Sequence, residues 1–282
     1  MRCCGPAPRH QAPSRPPIPR ASSEEVSVDD ILDVADRLAC GLCSGDDDLG
    51  FDFTMAFQPI VDLRQNTIYG YEALVRGLNE ESAYSVIEKV TEDNRYLFDQ
   101  LCRIKAISLA SKLKVDAMLS INFLPNAVYN PERCIRTTLE AARKYEFPTS
   151  QIMFEFTEVE RIEDGDLIKR IVDYYQKLGF ITAIDDFGAG YAGLGLLADF
   201  QTDLVKFDMG LIRNISHDHA RQCIVSNCIN LCRDLNITPL AEGVESREEM
   251  LWLRDAGVEL MQGYFFARPG FERLPEVDFS DL

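Results

Sequence analysis

The chain has 282 residues, 46% of them hydrophobic, and its 46 acids against 29 bases give a formal net charge of −17. That length suits one domain of the α/β-barrel class, about 250 residues, and no run approaches the roughly 18 consecutive apolar residues of a membrane span, so membrane insertion is not expected. The charge excludes a DNA- or RNA-binding face, which needs clustered basic residues, and a phosphate ligand would be repelled unless its site carried positive charge, most simply bound divalent metal.

Residues 1–20 hold six prolines, four arginines and no acids. Residues 1–26 are therefore expected to be a disordered tail, and the prolines argue against an amphipathic transit peptide. Ser27, with Asp29 and Asp30 behind it, has the spacing of a helix cap. Ile31, Leu32, Val34, Ala35 and Leu38 then read as the apolar face of a short helix. SGDDDLG (44–50) reads as a linker, with Asp46, Asp47 and Asp48 in a solvated loop, so residues 27–52 form a helix-and-linker segment. The nine cysteines are odd in number, irregularly spaced and preceded by no secretory signal, which favours reduced thiols in a cytoplasm. Cys40 and Cys43 could be half a zinc site or a redox pair, but adjacent Cys3 and Cys4 supply no second half.

From Phe53 onward short β-rich runs alternate with helical patterns. The strands are expected at 53–61, 67–76, 117–124, 151–158, 180–187, 203–208, 237–244 and 260–266. Helices are expected at 94–113, 131–145, 166–178, 219–235 and 246–256, with Cys223, Cys228 and Cys232 on the fourth as core or interface packing. Eight strands with intervening helices predict a TIM-type (β/α)8 barrel over residues 53–271, followed by a C-terminal tail, 272–282. Only Asp62 to Asn66 separate the first two strands. That is too short for a helical crossover, so those two should pair antiparallel.

Polar residues recur near the C-terminal ends of these strands: Glu72, Asn122, Glu155, Asp185, Asp186, Lys206, Glu242 and Gln262. Active sites of such barrels assemble at that end. Taken singly each has an ordinary alternative. Glu72 or Glu155 could be a surface group, Asn122 a turn residue bonding its own backbone, and the two aspartates before Phe-Gly-Ala-Gly a simple turn. A lysine inside LVKFD needs a partner or a task. Jointly the pattern points to a site, because independent surface groups have no reason to fall at one end of successive strands. Five carboxylates in one mouth require cations. An all-oxygen set selects Mg²⁺ or Mn²⁺ over zinc, and His10, His217 and His219 lie outside the strands.

The strings YEALVR (71–76), SINFLP (120–125), FEFTE (154–158), AIDDFGAGYAGL (183–194), LVKFD (204–208), LAEGVES (240–246) and MQGYFFARP (261–269) together resemble the EAL domain of cyclic di-GMP phosphodiesterases. The resemblance implies a barrel whose first strand is antiparallel, and hydrolysis of cyclic di-GMP to linear 5′-pGpG by a homodimer with two Mg²⁺ or Mn²⁺ ions per site. It implies that Glu72, Asn122, Glu155 and Asp185 hold one ion. Asp185 bridges to a second, held also by Asp186 and, directly or through water, by Glu242. Lys206, Glu242 and Glu72 are marked as catalytic, Lys206 positioning the attacking water and helping to deprotonate it. Gln58, Leu74, Arg76, Asp208 and Gln262 match substrate-binding positions, Gln262 also bonding within the metal network, and Glu158 braces the loop after Asp186. Such a pair of cations would generate the nucleophile and offset charge at phosphorus.

Three departures from the family pattern stand out. Gly77 to Ser82 lead almost directly into a helix, where many EAL domains carry a tryptophan-containing insertion. Ala192 and Gly193 replace two serines. No sensory or cyclase motif precedes the barrel in this sequence. Two other functions compete: a catalytically dead cyclic di-GMP receptor, which the full ligand set argues against, and a protein-binding adaptor, which predicts loss of the intact EAL signature.

Overall fold

The computed structural model describes residues 49–124, 130–157, 165–190, 193–280 and 282. The expected tail, the 31–38 helix, the aspartate run, Cys40 and Cys43, and also Glu158 and Ala192, lie outside the described residues.

The chain enters through a hairpin, β1 (Thr54–Asp62) and β2 (Thr67–Arg76), paired antiparallel as the short connection, four residues between these strand ends, demands. Asp62 closes the turn by accepting the backbone N–H groups of Arg64 (2.9 Å) and Gln65 (3.0 Å), and Asn66 takes the left-handed conformation at φ 51°. Helices α1 (Ala83–Ile87) and α2 (Arg95–Lys112) lead to β3 (Met118–Phe123). Then follow α3 (Pro131–Cys134), α4 (Arg136–Lys144), β4 (Ile152–Thr157), α5 (Gly165–Lys177), β5 (Ile181–Phe187) and α6 (Gly193–Asp199). The remainder runs β6 (Leu204–Phe207), α7 (Met209–Ile212), α8 (His219–Asp234), β7 (Thr238–Ala241), α9 (Arg247–Ala256), β8 (Leu260–Met261) and β9 (Gly270–Phe271).

From β2 to β8 each strand pairs parallel with the next, and β1 closes the ring by pairing antiparallel with both β2 and β8. The result is an eight-stranded mixed barrel with interleaved helices, and β9 adds a short pairing farther along β1. The expected helix at 131–145 divides into α3 and α4 about Ile135. The last two strands are shorter than their apolar runs suggested, because the chain turns at Gly243 (φ 65°) and passes so close to Val244 at Gly263 that a Cβ there would lie 2.1 Å from its carbonyl oxygen.

Two apolar layers hold the barrel. Between strands and helices, Phe123, Phe154, Tyr175 and Phe180 meet with ring centroids 5.1–6.0 Å apart. Inside the ring a separate cluster comprises Ile60, Met153, Ala183, Leu204, Leu240 and Leu260. Complete burial of a leucine, isoleucine or methionine side chain contributes about 1.5–3 kcal/mol. On α8 the core-facing residues are Val225, Ile229 and Cys232, at helical spacing. Cys223 is off that phase and exposed, so of the two expected places, core or interface, it does not take the core, while Cys228 is half-buried. The described residues after β9 lie against the barrel: Leu274, Val277, Phe279 and Leu282 pack on its core, and the Glu272 N–H donates to the Met55 carbonyl (3.1 Å).

Candidate active site

The inner apolar cluster fixes where the polar groups stand. Side chains in a strand alternate faces, so the residue two beyond an inward-facing one also faces inward. Two residues after Met153, Ala183, Leu204, Leu240 and Leu260 come Glu155, Asp185, Lys206, Glu242 and Gln262. On β1, which runs the other way, Gln58 precedes Ile60 by the same two residues. Gln58 is the register partner of Glu72, and Asn122 of Glu155. A polar ring thus lies one layer above an apolar floor.

Asp186 should alternate outward and does not. The β5–β6 register breaks between Ile184 and Phe187, and Asp186 has φ 54°. This bulge in a left-handed conformation turns the second aspartate to the same side as the first, at a strain of about 1–3 kcal/mol. Carboxylate oxygens of Asp185, Asp186 and Glu242 then all lie within 4.8 Å of one another.

Lys206 stands in the middle of the ring, fully buried. Its Nζ is 2.6 Å from Glu242, 2.8 Å from Glu155, 3.0 Å from Asp185 and 3.8 Å from Glu72. All four are ion-pair contacts, and the Glu155 oxygens and Asp185 Oδ1 are buried with no hydrogen-bond partner besides this ammonium. Asn122 Nδ2 donates to Glu72 Oε1 (2.8 Å); Gln262 Nε2 donates to Glu72 Oε2 (2.7 Å) and Gln58 Oε1 (3.2 Å), leaving Gln262 Oε1 without a partner.

Burial pushes the Glu155 carboxyl up to about 8, against the pull of Lys206, and burial with the charge of Asp185 raises Glu242 well above the usual carboxylate range. Burial and the neighbouring Asp185 lift Asp186 to about 6. For Lys206 burial works against the charge, but Asp185, Glu155, Glu242 and Glu72 outweigh it and hold the amine as an ammonium. Buried carboxylates short of hydrogen bonds, crowded until their protons are retained, are a donor set that hard divalent cations satisfy. The residues fit such a cation.

Above the ring opens a cavity of about 240 Å³, with Glu72, Asp186 and Glu242 at its base and Asp208, Met209 and Tyr264 along its rim. Asp208 caps α7, its Oδ1 accepting the Gly210 N–H at 2.7 Å. Leu74 and Arg76 stand toward the end of β2, outside the cavity lining, and Arg76 Nη1 donates to the carbonyl of Val75 (2.6 Å). The structure therefore brings together every expected site residue except Leu74, Arg76 and the undescribed Glu158. Sequence reasoning assigned no role to Met209, Glu245 or Tyr264, which also line the cavity; Met209 and Tyr264 are each about half exposed (48% and 49%), and the Arg268 guanidinium lies 4.1 Å from the Tyr264 ring centroid.

Residues 49–269 match the model of the EAL domain. A standalone EAL protein of Vibrio cholerae O395, solved in its c-di-GMP-bound form, is 71% identical, with a TM-score of 0.81 over 83% of this chain and 99% of that one. BlrP1 of Klebsiella pneumoniae, solved in a manganese/cyclic di-GMP complex, is 34% identical, with a TM-score of 0.76 over 81% of this chain and 58% of that one. Among curated proteins, the blue light- and temperature-regulated antirepressor BluF of Escherichia coli is 35% identical over 80% of this chain and 56% of its own length. The probable cyclic di-GMP phosphodiesterase PdeG of the same organism is 29% identical over 76% of this chain and 44% of its own. The chain spans about half the length of these curated relatives. Among the described residues no helix is long and apolar enough to cross a membrane.

Proposed function

We propose that this chain, which belongs to the EAL domain family, is a phosphodiesterase that hydrolyses cyclic di-GMP to linear 5′-pGpG with two Mg²⁺ or Mn²⁺ ions. The observation that carries this reading is the ring of buried carboxylates around Lys206, several of their oxygens with no hydrogen-bond partner besides its ammonium, at the base of an open cavity. Glu72, Asn122, Glu155 and Asp185 would hold one ion; Asp185, Asp186 and Glu242 would hold the other. Divalent cations at such a site supply Lewis acidity and bring the pKa of water toward neutrality.

The chain's own groups do the rest. Lys206 Nζ orients a water by donation. Once the surrounding carboxylates are engaged elsewhere they no longer hold its proton, and the amine that has released that proton to solvent takes one up from the water. Gln262 holds Glu72 in place and keeps Oε1 free to accept. Asp208, Gln58, Leu74 and Arg76 are the substrate contacts, Arg76 leaving the Val75 carbonyl to offer its planar fork to a phosphate. Glu158 braces the loop after Asp186. A cytoplasmic homodimer is part of the same reading. Support for the substrate and the metal comes from the Vibrio and Klebsiella neighbours, described with cyclic di-GMP, and with manganese for the latter.

The test is incubation of purified protein with cyclic di-GMP and Mn²⁺, followed by chromatography for the linear product. No product above a metal-free control would sink the proposal. The likeness to BluF, an antirepressor, favours a second reading in which the barrel acts by binding another protein. That reading predicts folded protein, no turnover, and capture of a partner unaffected by chelator.

A further inference from the structure

We propose that Glu249 is a positioning residue, a buried clamp that fixes both loops forming the rim of the metal-and-substrate cavity. The inference rests on the phosphodiesterase reading for the identity of the site and goes beyond it in assigning a residue outside the cavity.

Glu249 lies in the first turn of α9 and is buried, at 3% exposure. Its Oε1 accepts the Asn214 N–H (2.8 Å), and its Oε2 accepts the N–H groups of Glu245 (3.0 Å) and Ser246 (3.2 Å). Only the Ser246 bond belongs to the capping box that starts the helix. The other two reach different loops. Asn214 ends the segment that begins with Asp208 and Met209, and Glu245 ends the segment that begins with Glu242 and Gly243. Those four residues and Glu245 all line the cavity.

The two segments are built against each other along their whole length. The Glu242 N–H donates to the Phe207 carbonyl (3.1 Å), and Gly243 lies so close to Met209 that an added Cβ would come within 2.4 Å of the Met209 Cβ. Arg213 pairs with Glu245 at 2.6 Å, but both are part-exposed, at 30% and 46%, so that pair contributes little. Glu249 is the buried charge at the closed end of this two-loop structure. Backbone N–H bonds to a carboxylate are among the stronger hydrogen bonds, and removing their acceptor leaves part-buried donors unsatisfied. Freed from it, the loops can separate, and Glu242 loses its fixed distance to Asp185 and Asp186.

The experiment compares Glu249→Gln with Ser246→Ala. The first keeps size but turns one of the two acceptor oxygens into an NH2 donor, so the side chain can no longer accept from both segments at once. The second removes only the Ser246 hydroxyl that caps the helix, accepting the Glu249 N–H at 3.2 Å, and leaves the clamp intact. Amide exchange at Asn214, Glu245 and Ser246, Mn²⁺ affinity by calorimetry, and turnover of cyclic di-GMP are measured below the melting temperature of each variant. Glu249→Gln is expected to speed exchange on the segment that faces the new NH2, at Asn214 or at Glu245 and Ser246, and to weaken Mn²⁺ binding by about 10–100-fold, as outer-shell losses do. Turnover should recover in part at high Mn²⁺. Ser246→Ala is expected to lower the melting temperature with Asn214 exchange and Mn²⁺ affinity unchanged. Faster exchange without weaker Mn²⁺ binding, or equal Mn²⁺ loss in the two variants, would overturn the clamp. Wild-type protein that binds Mn²⁺ yet turns over no cyclic di-GMP overturns the phosphodiesterase reading alone, since exchange and Mn²⁺ affinity still decide the role of Glu249.

Discussion

Replacing Lys206 with methionine takes the ammonium out of the acidic ring and keeps most of its volume. Two unit charges 4 Å apart attract by about 4 kcal/mol at an effective dielectric near 20. Four carboxylates at 2.6–3.8 Å from Nζ, were all of them ionised, would represent a gross attraction on the order of 20 kcal/mol by the same rule, and the protons retained by Glu155 and Glu242 lower it. Burial of the ions, at several kcal/mol each, and repulsion among the carboxylates cancel most of it. The carboxyls left behind can also take up protons, which limits the loss. What remains is the cost of removing one partner from a buried ion pair, about 3–5 kcal/mol. In a domain of this size each kcal/mol moves the melting temperature by about 2–4 °C, so the metal-free variant should melt roughly 6–20 °C below wild type in chelator. Mn²⁺ at a thousand times its Kd stabilises by about 4 kcal/mol. In the variant it meets no competing ammonium, so millimolar Mn²⁺ should restore most of the melting temperature. Turnover should stay down by about 10²–10⁴-fold, the range for a lost proton-transfer group. Scanning calorimetry in chelator and in Mn²⁺, beside product chromatography, reads both effects. Unchanged metal-free melting would show that the four contacts contribute no net stability. Turnover within tenfold of wild type would remove Lys206 from the chemistry.

Ca²⁺ should bind but inhibit, because its bonds of about 2.3–2.6 Å exceed the 2.0–2.1 Å of Mg²⁺ and would widen the site. A Klebsiella BlrP1 structure is a calcium/cyclic di-GMP complex, and robust turnover here with Ca²⁺ as the sole divalent ion would contradict the mechanism. Gly243→Ala forces a Cβ against Met209 at a position with φ 65°; stability should fall by about 1–3 kcal/mol and KM should rise, read by denaturant titration and initial rates. Glu155→Gln should abolish turnover and flatten the pH dependence of metal-free stability. The folded-state pKa of Glu155, about 8, exceeds the unfolded one, so its contribution is fully present below about pH 4.5 and is lost as pH rises through 8. Equal slopes for wild type and variant between pH 5 and 8, measured in chelator, would show that Glu155 is not the titrating group.

The barrel was legible because its period is written twice, once in apolar runs and once in the polar residue two places beyond each inward-facing apolar one. Met153 with Glu155 and Leu204 with Lys206 are such pairs. The antiparallel hairpin followed from the length of one connection. Asp186 was legible only as half of a pair: strict alternation would point it outward, and the bulge that brings it in depends on a left-handed residue that a helix or strand pattern does not announce. Glu249 was not legible, since a glutamate in the first turn of a helix reads as a favourable surface charge. Its burial depends on loops 208–214 and 242–246 coming together, a non-local event. Tyr264 and Met209 were likewise hidden, because an aromatic and a methionine beside apolar runs look like core until the strand is seen to stop.

The closure of the ring leaves it with a seam. β1 shares nine register pairs with β2 but only two with β8, and its next partner, β9, is joined by two more. Across the interval between those short pairings the join is carried by side chains: Gln58 Nε2 donates to the Ala267 carbonyl (3.1 Å), and Gln58 Oε1 accepts from Gln262. The same two glutamines border the carboxylate ring. The β7–β8 join also has only two register pairs, but backbone bonds continue it, from the Gln262 N–H to the Ala241 carbonyl (2.8 Å) and from the Val244 N–H to the Gln262 carbonyl (3.1 Å). A cylinder laced by amides along β1–β8 instead does not dilate evenly. It gives along one line, and that line passes beside Glu72, so room for an incoming ligand can be made by parting amides without breaking the parallel ladders that hold Glu155, Asp185 and Lys206 in register.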